Sequence, residues 1–182
     1  ARPQDVLKAR AALEKAARSK AVELNKIEIG FEAHSANLLR LLKKGTTPKI
    51  NLQVISFIEE LRRETGDPLQ INFDFILLSH PDMSLDDLEE NILFLASYMP
   101  DDQEFAPAAV PYPKTPLWYE LKERGLKADP DRGYIIPYEF SDPTVQRFFE
   151  RMASLSRREL LHRLRRAVSR GNLRQALSDG NW

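Results

Sequence analysis

The chain has 182 residues, no cysteine, and 27 basic against 27 acidic side chains, for a formal net charge of zero. That length fits one domain with an appendage and is ample for a buried core. Absent cysteines exclude disulfides, thiolate nucleophiles and any cysteine-held zinc or iron–sulfur site within this chain. No apolar run, Phe75 to Leu78 included, approaches the roughly 20 residues that span a bilayer, so no membrane partner is expected. No secretory leader opens the chain, and the expected compartment is cytoplasmic. Because it begins at Ala1 rather than methionine, it reads as a piece of something longer.

Taken in order, residues 4–24 are rich in Ala, Lys, Glu and Leu without glycine, which predicts a helix with Pro3 at its start. Ile27, Ile29 and Phe31 alternate with Glu28, Gly30 and Glu32, which predicts a strand over 26–33. Ser35 is placed to cap a helix over 36–44 that stops at Gly45. Thr47-Pro48 opens the next helix, where Ile50, Val54, Phe57, Ile58 and Leu61 form one apolar stripe and Gly66 is the stop. The stretch 69–78 reads as a second strand, covered on both faces as in a parallel sheet. Ser84 with Asp87 makes a capping box for a helix to about Tyr98, burying Leu85, Leu88, Ile92 and Leu95.

Residues 105–110 give a weaker third strand, followed by a proline-stiffened loop and a short helix over 117–124. A loop over 127–137 leads to two further helices, 143–155 and 156 to about 177. Strands alternating with helices of this length imply an α/β chain with about three parallel strands. Three strands cannot close a barrel of about eight. The expectation is therefore a partial (β/α) barrel fragment over 1–126, with a loop and helical C-terminal extension over 127–182.

Three residues sit where such folds bind ligands, at the carboxyl ends of strands. Glu32 is placed to accept hydrogen bonds from a ribose diol or an amino group, or else is a solvated strand-end glutamate. Ser35 and Ser79 are candidates on the same edge. His80 beside Ser79 cannot act as its base, because adjacent side chains on an extended chain point opposite ways; it reads as a turn residue. His34, His80 and His162 are scattered, and no metal site is expected. Residues 147–174 carry nine arginines, yet Leu160, Leu161, Leu164 and Val168 form an apolar stripe among them. The arginines then read as the wet face of an amphipathic helix, with an anionic partner as the alternative and nucleic acid disfavoured by the balanced charge.

Three stretches share an order and spacing with a known family. These are Gly30-Phe31-Glu32-Ala33-His34-Ser35 followed by Lys44-Gly45-Thr46-Thr47; Phe75 to Leu78 with Ser79-His80-Pro81-Asp82-Met83-Ser84; and Tyr112-Pro113-Lys114-Thr115-Pro116-Leu117-Trp118. Residues 27–126 resemble the second half of the catalytic domain of radical S-adenosylmethionine (SAM) enzymes. Among these, the chain is most similar to the class fused to a cobalamin-binding domain, which includes the anaerobic magnesium-protoporphyrin IX monomethyl ester oxidative cyclases. The resemblance implies an oxidoreductase that uses SAM and a 4Fe-4S iron-sulfur cluster, with cobalamin associated in that class. Glu32, Ser35 and Ser79 would then line the SAM pocket, with no catalytic residue in this chain. The family's three cluster cysteines are absent, so this chain alone would be inactive and its partner would be the missing N-terminal half. A strand edge left open by that loss would favour self-association. Ser79 and Asp82 replace two family glycines, and Met83 replaces an acidic or amide residue.

Overall fold

The computed structural model describes residues 1–19, 27–66, 71–74, 79–98, 113–124 and 138–180. Nine helices dominate these residues: α1 (Pro3–Lys8), α2 (Arg10–Ser19), α3 (Ala36–Leu41), α4 (Pro48–Thr65), α5 (Leu85–Tyr98), α6 (Pro116–Glu123), α7 (Pro143–Met152), α8 (Arg157–Ser169) and α9 (Leu173–Asp179). Two four-residue strands, β1 (Ile27–Gly30) and β2 (Ile71–Asp74), pair in parallel with Ile27 opposite Ile71 and Gly30 opposite Asp74.

The expectation of an α/β barrel fragment with about three parallel strands is therefore corrected. The described residues are mostly helical, and their extended backbone is limited to these two short segments. One physical reason lies at residues 31–35. The Ala33 carbonyl accepts from Asn51 Nδ2 (3.1 Å), while the His34 and Ser35 amides donate to Asn91 Oδ1. Side-chain amides of α4 and α5 thus take the backbone groups that a longer strand would have given to a neighbour. The proposed third strand at 105–110, the end of the second at 75–78 and the loop at 127–137 lie outside the described residues.

Six of the helices start on a side-chain cap. Ser35, Thr47, Thr115, Asp142 and Ser156 accept backbone N–H bonds in the first turns of α3, α4, α6, α7 and α8. Ser84 and Asp87 exchange the reciprocal bonds of a capping box at the start of α5. Gly66, in the left-handed region at φ 77°, ends α4, where a side chain would be strained.

The core is one apolar cluster. Val54, Ile55, Phe57, Ile58 and Leu61 of α4 join Leu88, Ile92, Phe94 and Leu95 of α5. From the C-terminal helices come Val145, Phe148, Phe149 and Met152, with Leu160, Leu161 and Leu164. Helix α4 packs on α1 and α2, and α5 packs on α3, α7 and α8. The backbone of Ala1 meets the outer edge of β1, accepting from the Gly30 amide (3.3 Å) and donating to the Glu28 carbonyl. Among the described residues no helix is long and apolar enough to cross a membrane.

Candidate functional site

The segment Phe31–Ser35 leaves the carboxyl end of β1 and is fixed from two sides. Asn51, fully buried in α4, donates to the Ala33 carbonyl and accepts from Thr46 Oγ1 (3.1 Å). Asn91, 1% exposed in α5, receives the next two amides through Oδ1. The ring of His34 stacks on Phe94 at 4.1 Å and 6°, and burial holds its pKa below the ordinary histidine value.

Glu32 projects from this clamped loop and forms an ion pair with Lys44 at the end of the α3 segment. The side chain of Glu32 is 28% exposed and that of Lys44 34%, while Glu32 Oε2, the oxygen that faces Lys44, is itself buried. Burial holds the Lys44 ammonium below the usual lysine pKa. The turn that delivers Lys44 needs unusual backbone: Lys43 sits at φ 54° and Gly45 at φ 64°. Two stretches nine residues apart in sequence, Gly30–Ser35 and Lys44–Thr47, thereby become one site joined by Glu32–Lys44 and Ala33–Asn51–Thr46.

The other two sequence candidates lie in buried networks. Ser35 is 1% exposed; its hydroxyl caps α3 by accepting from the Leu38 amide (3.1 Å) and donates to Asp87 Oδ1. Asp87 also collects Asn37 Nδ2 (2.9 Å), the Ser84 amide (3.0 Å) and the Ser84 hydroxyl (2.8 Å). Desolvation raises the pKa of Asp87, but the donors, led by Ser35, outweigh it and hold the carboxyl below its ordinary value. Ser79 is fully buried, its hydroxyl 2.6 Å from that of Tyr138, which itself donates to the Ser79 carbonyl (2.7 Å). Burial pushes the Tyr138 hydroxyl far up, so it stays protonated. Among the described residues, no hydrogen bond links Glu32, Ser35 and Ser79 to one another.

A second polar cluster joins the segment after Ser79 to α6. His80 is 1% exposed; its Nδ1 accepts the Asp82 amide (3.1 Å) and its Nε2 lies 3.4 Å from Glu120 Oε1. Arg124 bridges Asp82 with two bonds of 2.9 and 2.6 Å and reaches Glu120 at 3.1 Å. Ser141 adds a hydroxyl bond to Asp82 (3.0 Å) and an amide bond to the Pro81 carbonyl (2.8 Å). His80, Asp82 and Glu120 have the donor types of a cation site. The tautomer argues otherwise: with Nδ1 accepting from a backbone N–H, the ring proton sits on Nε2, the atom a metal would need. Arg124 already pairs with both carboxylates. The cluster works as a latch between the 79–84 segment, α6 and residues 138–142.

Sequence reasoning missed Asn51, Asn91, Tyr138 and the latch arginine. The two asparagines carried a signal. Each interrupts an apolar helical stripe, at i−3 from Val54 and at i+3 from Leu88, and a polar residue on a buried face must have a partner. Tyr138 gave none, because its partner lies 59 residues away, and the Arg124–Asp82 bridge spans 42 residues.

Comparison with protein families, with curated proteins and with solved structures finds no match to this chain.

Proposed function

We propose that this chain forms part of a radical SAM oxidoreductase, in which it supplies walls of the SAM and substrate pocket. The observation that carries this reading is the Glu32–Lys44 pair on the loop after β1. It joins the two parts of the first stretch on which the family resemblance rests. A carboxylate and an ammonium side by side complement the amino-acid end of SAM, whose ammonium would face Glu32 and whose carboxylate would face Lys44. Both side chains are partly exposed, with Glu32 Oε2 buried against Lys44. Ser35 and Ser79 fit a ligand less well, since both hydroxyls are buried in internal bonds, so their contribution is to shape the wall.

The iron-sulfur cluster has no ligands in this chain, which lacks cysteine, and its cysteines would come from elsewhere in the full-length protein. Bound there, the cluster would supply the electron that cleaves SAM. What this chain's residues do is hold the cofactor's charged end and exclude water. The test is calorimetric titration of SAM into the anaerobically purified full-length protein. Glu32→Gln is expected to weaken SAM by roughly 10- to 100-fold, since each 1.4 kcal/mol or so is a factor of ten. Equal affinity would remove Glu32 from the site.

One observation favours a second reading, a non-catalytic module for an acidic partner. Arg158, His162, Arg166 and Arg170 are exposed at i, i+4, i+8 and i+12, a single ridge along α8 and its cap. Such a ridge would bind carboxylates in a salt-sensitive way. Loss of partner binding on replacing the three arginines with glutamine, with SAM binding unaffected, would support it.

A further inference from the structure

An asparagine in the middle of a buried helix face is costly unless both ends of its amide are used, and in Asn51 both are. Only the Nδ2 end can donate to the Ala33 carbonyl, at 3.1 Å, which turns Oδ1 toward the Thr46 hydroxyl, also at 3.1 Å. Those two partners are one residue after Glu32 and two residues after Lys44. We infer that Asn51 is a positioning residue, which sets the register between the Phe31–Ser35 loop and the Lys44–Thr47 turn and so holds the Glu32 carboxylate and the Lys44 ammonium together as one recognition pair.

Three features carry this. First, Asn51 is fully buried, so its bonds are unscreened by water and exchange with none. Second, Thr47 caps α4 through the Ile50 amide (3.3 Å) and its carbonyl accepts the Asn51 amide (3.0 Å), so the turn and Asn51 are parts of one rigid helix start. Third, Asn91 grips the other end of the loop through His34 and Ser35, while Asn51 fixes Ala33, next to Glu32, from the α4 side. An apolar residue at 51 would fill the core equally well. The amide's particular contribution is the fixed distance between loop and turn, and a ligand that reads two opposite charges depends on that distance.

The ligand arm of the test rests on the SAM reading; the other arm does not. SAM affinity is measured by calorimetry in the full-length protein for wild type, Asn51→Ala, Glu32→Gln and the double variant. Asn51→Ala is expected to weaken SAM about tenfold in the wild-type background and less than about twofold beside Glu32→Gln, because residues that act through one group do not add. Equal losses in both backgrounds, or no loss, would overturn the positioning role. The ligand-free arm follows Lys44 by carbon-13 NMR of the reductively methylated protein. Asn51→Ala is expected to move the Lys44 titration in the direction that Glu32→Gln moves it, as the loosened loop withdraws the carboxylate from the ammonium; an unchanged titration overturns the inference. Should wild type fail to bind SAM, the functional reading falls and the Lys44 arm alone decides. If Asn51→Ala does not fold, Thr46→Val, which removes only the hydroxyl bond, is measured in its place with the same expectations in both arms.

Discussion

Asp87 shows how one carboxylate can organise several segments. It caps its own helix through Ser84, receives the hydroxyl that caps α3, and ties in Asn37. Its folded pKa lies below the unfolded value, so its stabilisation is fully present above about pH 4 and is lost as pH falls through the lower, folded value. Asp87→Asn is therefore expected to flatten the acid limb of a stability-against-pH curve below about pH 4, and to destabilise at neutral pH by about 1–3 kcal/mol. Chemical denaturation across that range measures both. An unchanged acid limb would mean the hydrogen bonds to Asp87 do not discriminate charged from neutral carboxyl. Ser79 and Tyr138 predict a different signature. Tyr138→Phe leaves the buried Ser79 hydroxyl without its partner, and should cost about 1–3 kcal/mol with no pH dependence near neutrality, since the phenol stays protonated.

At the scale of elements, what the sequence made legible was each helix's own pattern and punctuation. The span of α4 from Pro48 to Thr65, the capping box of α5 and the inward set Val145, Phe148, Phe149 and Met152 of α7 follow from apolar spacing with caps and stops. Where punctuation was weaker, the reading ran too long. The helix expected over 4–24 is divided at Ala9 into α1 and α2, and the one expected from 156 to 177 breaks at Gly171, φ 64°, into α8 and α9. The strand expected to Ala33 stops at Gly30, for a reason no local pattern carries: Asn51 and Asn91 are 18 and 57 residues from their partners. The amphipathic reading of α8 is met by burial of Leu160, Leu161 and Leu164 on the side toward α5. Leu164→Ala should cost about 2–5 kcal/mol in urea unfolding, whereas Arg166→Ala on the wet face should stay within about 0.5 kcal/mol. A reversal of that order would place the wrong face of α8 against the core.

For the whole molecule, a buried His80 and a half-buried His34 are expected to set a pH threshold that composition alone would not suggest. Burial lowers the pKa of His34. In His80 burial is again the largest influence; Glu120 and Asp82 oppose it, Arg124 adds to it, and the net direction is down. In both cases the unfolded chain takes the proton first. Stability is then fully present above the unfolded histidine value of about 6.5 and is lost progressively as pH falls below it. Melting temperature should drop between about pH 6.5 and 5, and His80→Asn, which keeps an acceptor for the Asp82 amide, should make that drop shallower. A slope identical to wild type would place the titration elsewhere. The latch that His80 belongs to ties α6 and residues 138–142 to the segment after Ser79.

The candidate site became visible only at this scale. Sequence placed Glu32 at a strand end, but its counter-ion Lys44 and the asparagine that holds the two together are products of the α3–α4 turn folding back on β1. The most direct test of the account is SAM titration into the full-length protein, wild type against Glu32→Gln. The account predicts saturable binding in wild type and a loss of roughly 10- to 100-fold in the variant, with folding unchanged. Absence of SAM binding in wild type, or the same affinity in both, would contradict it.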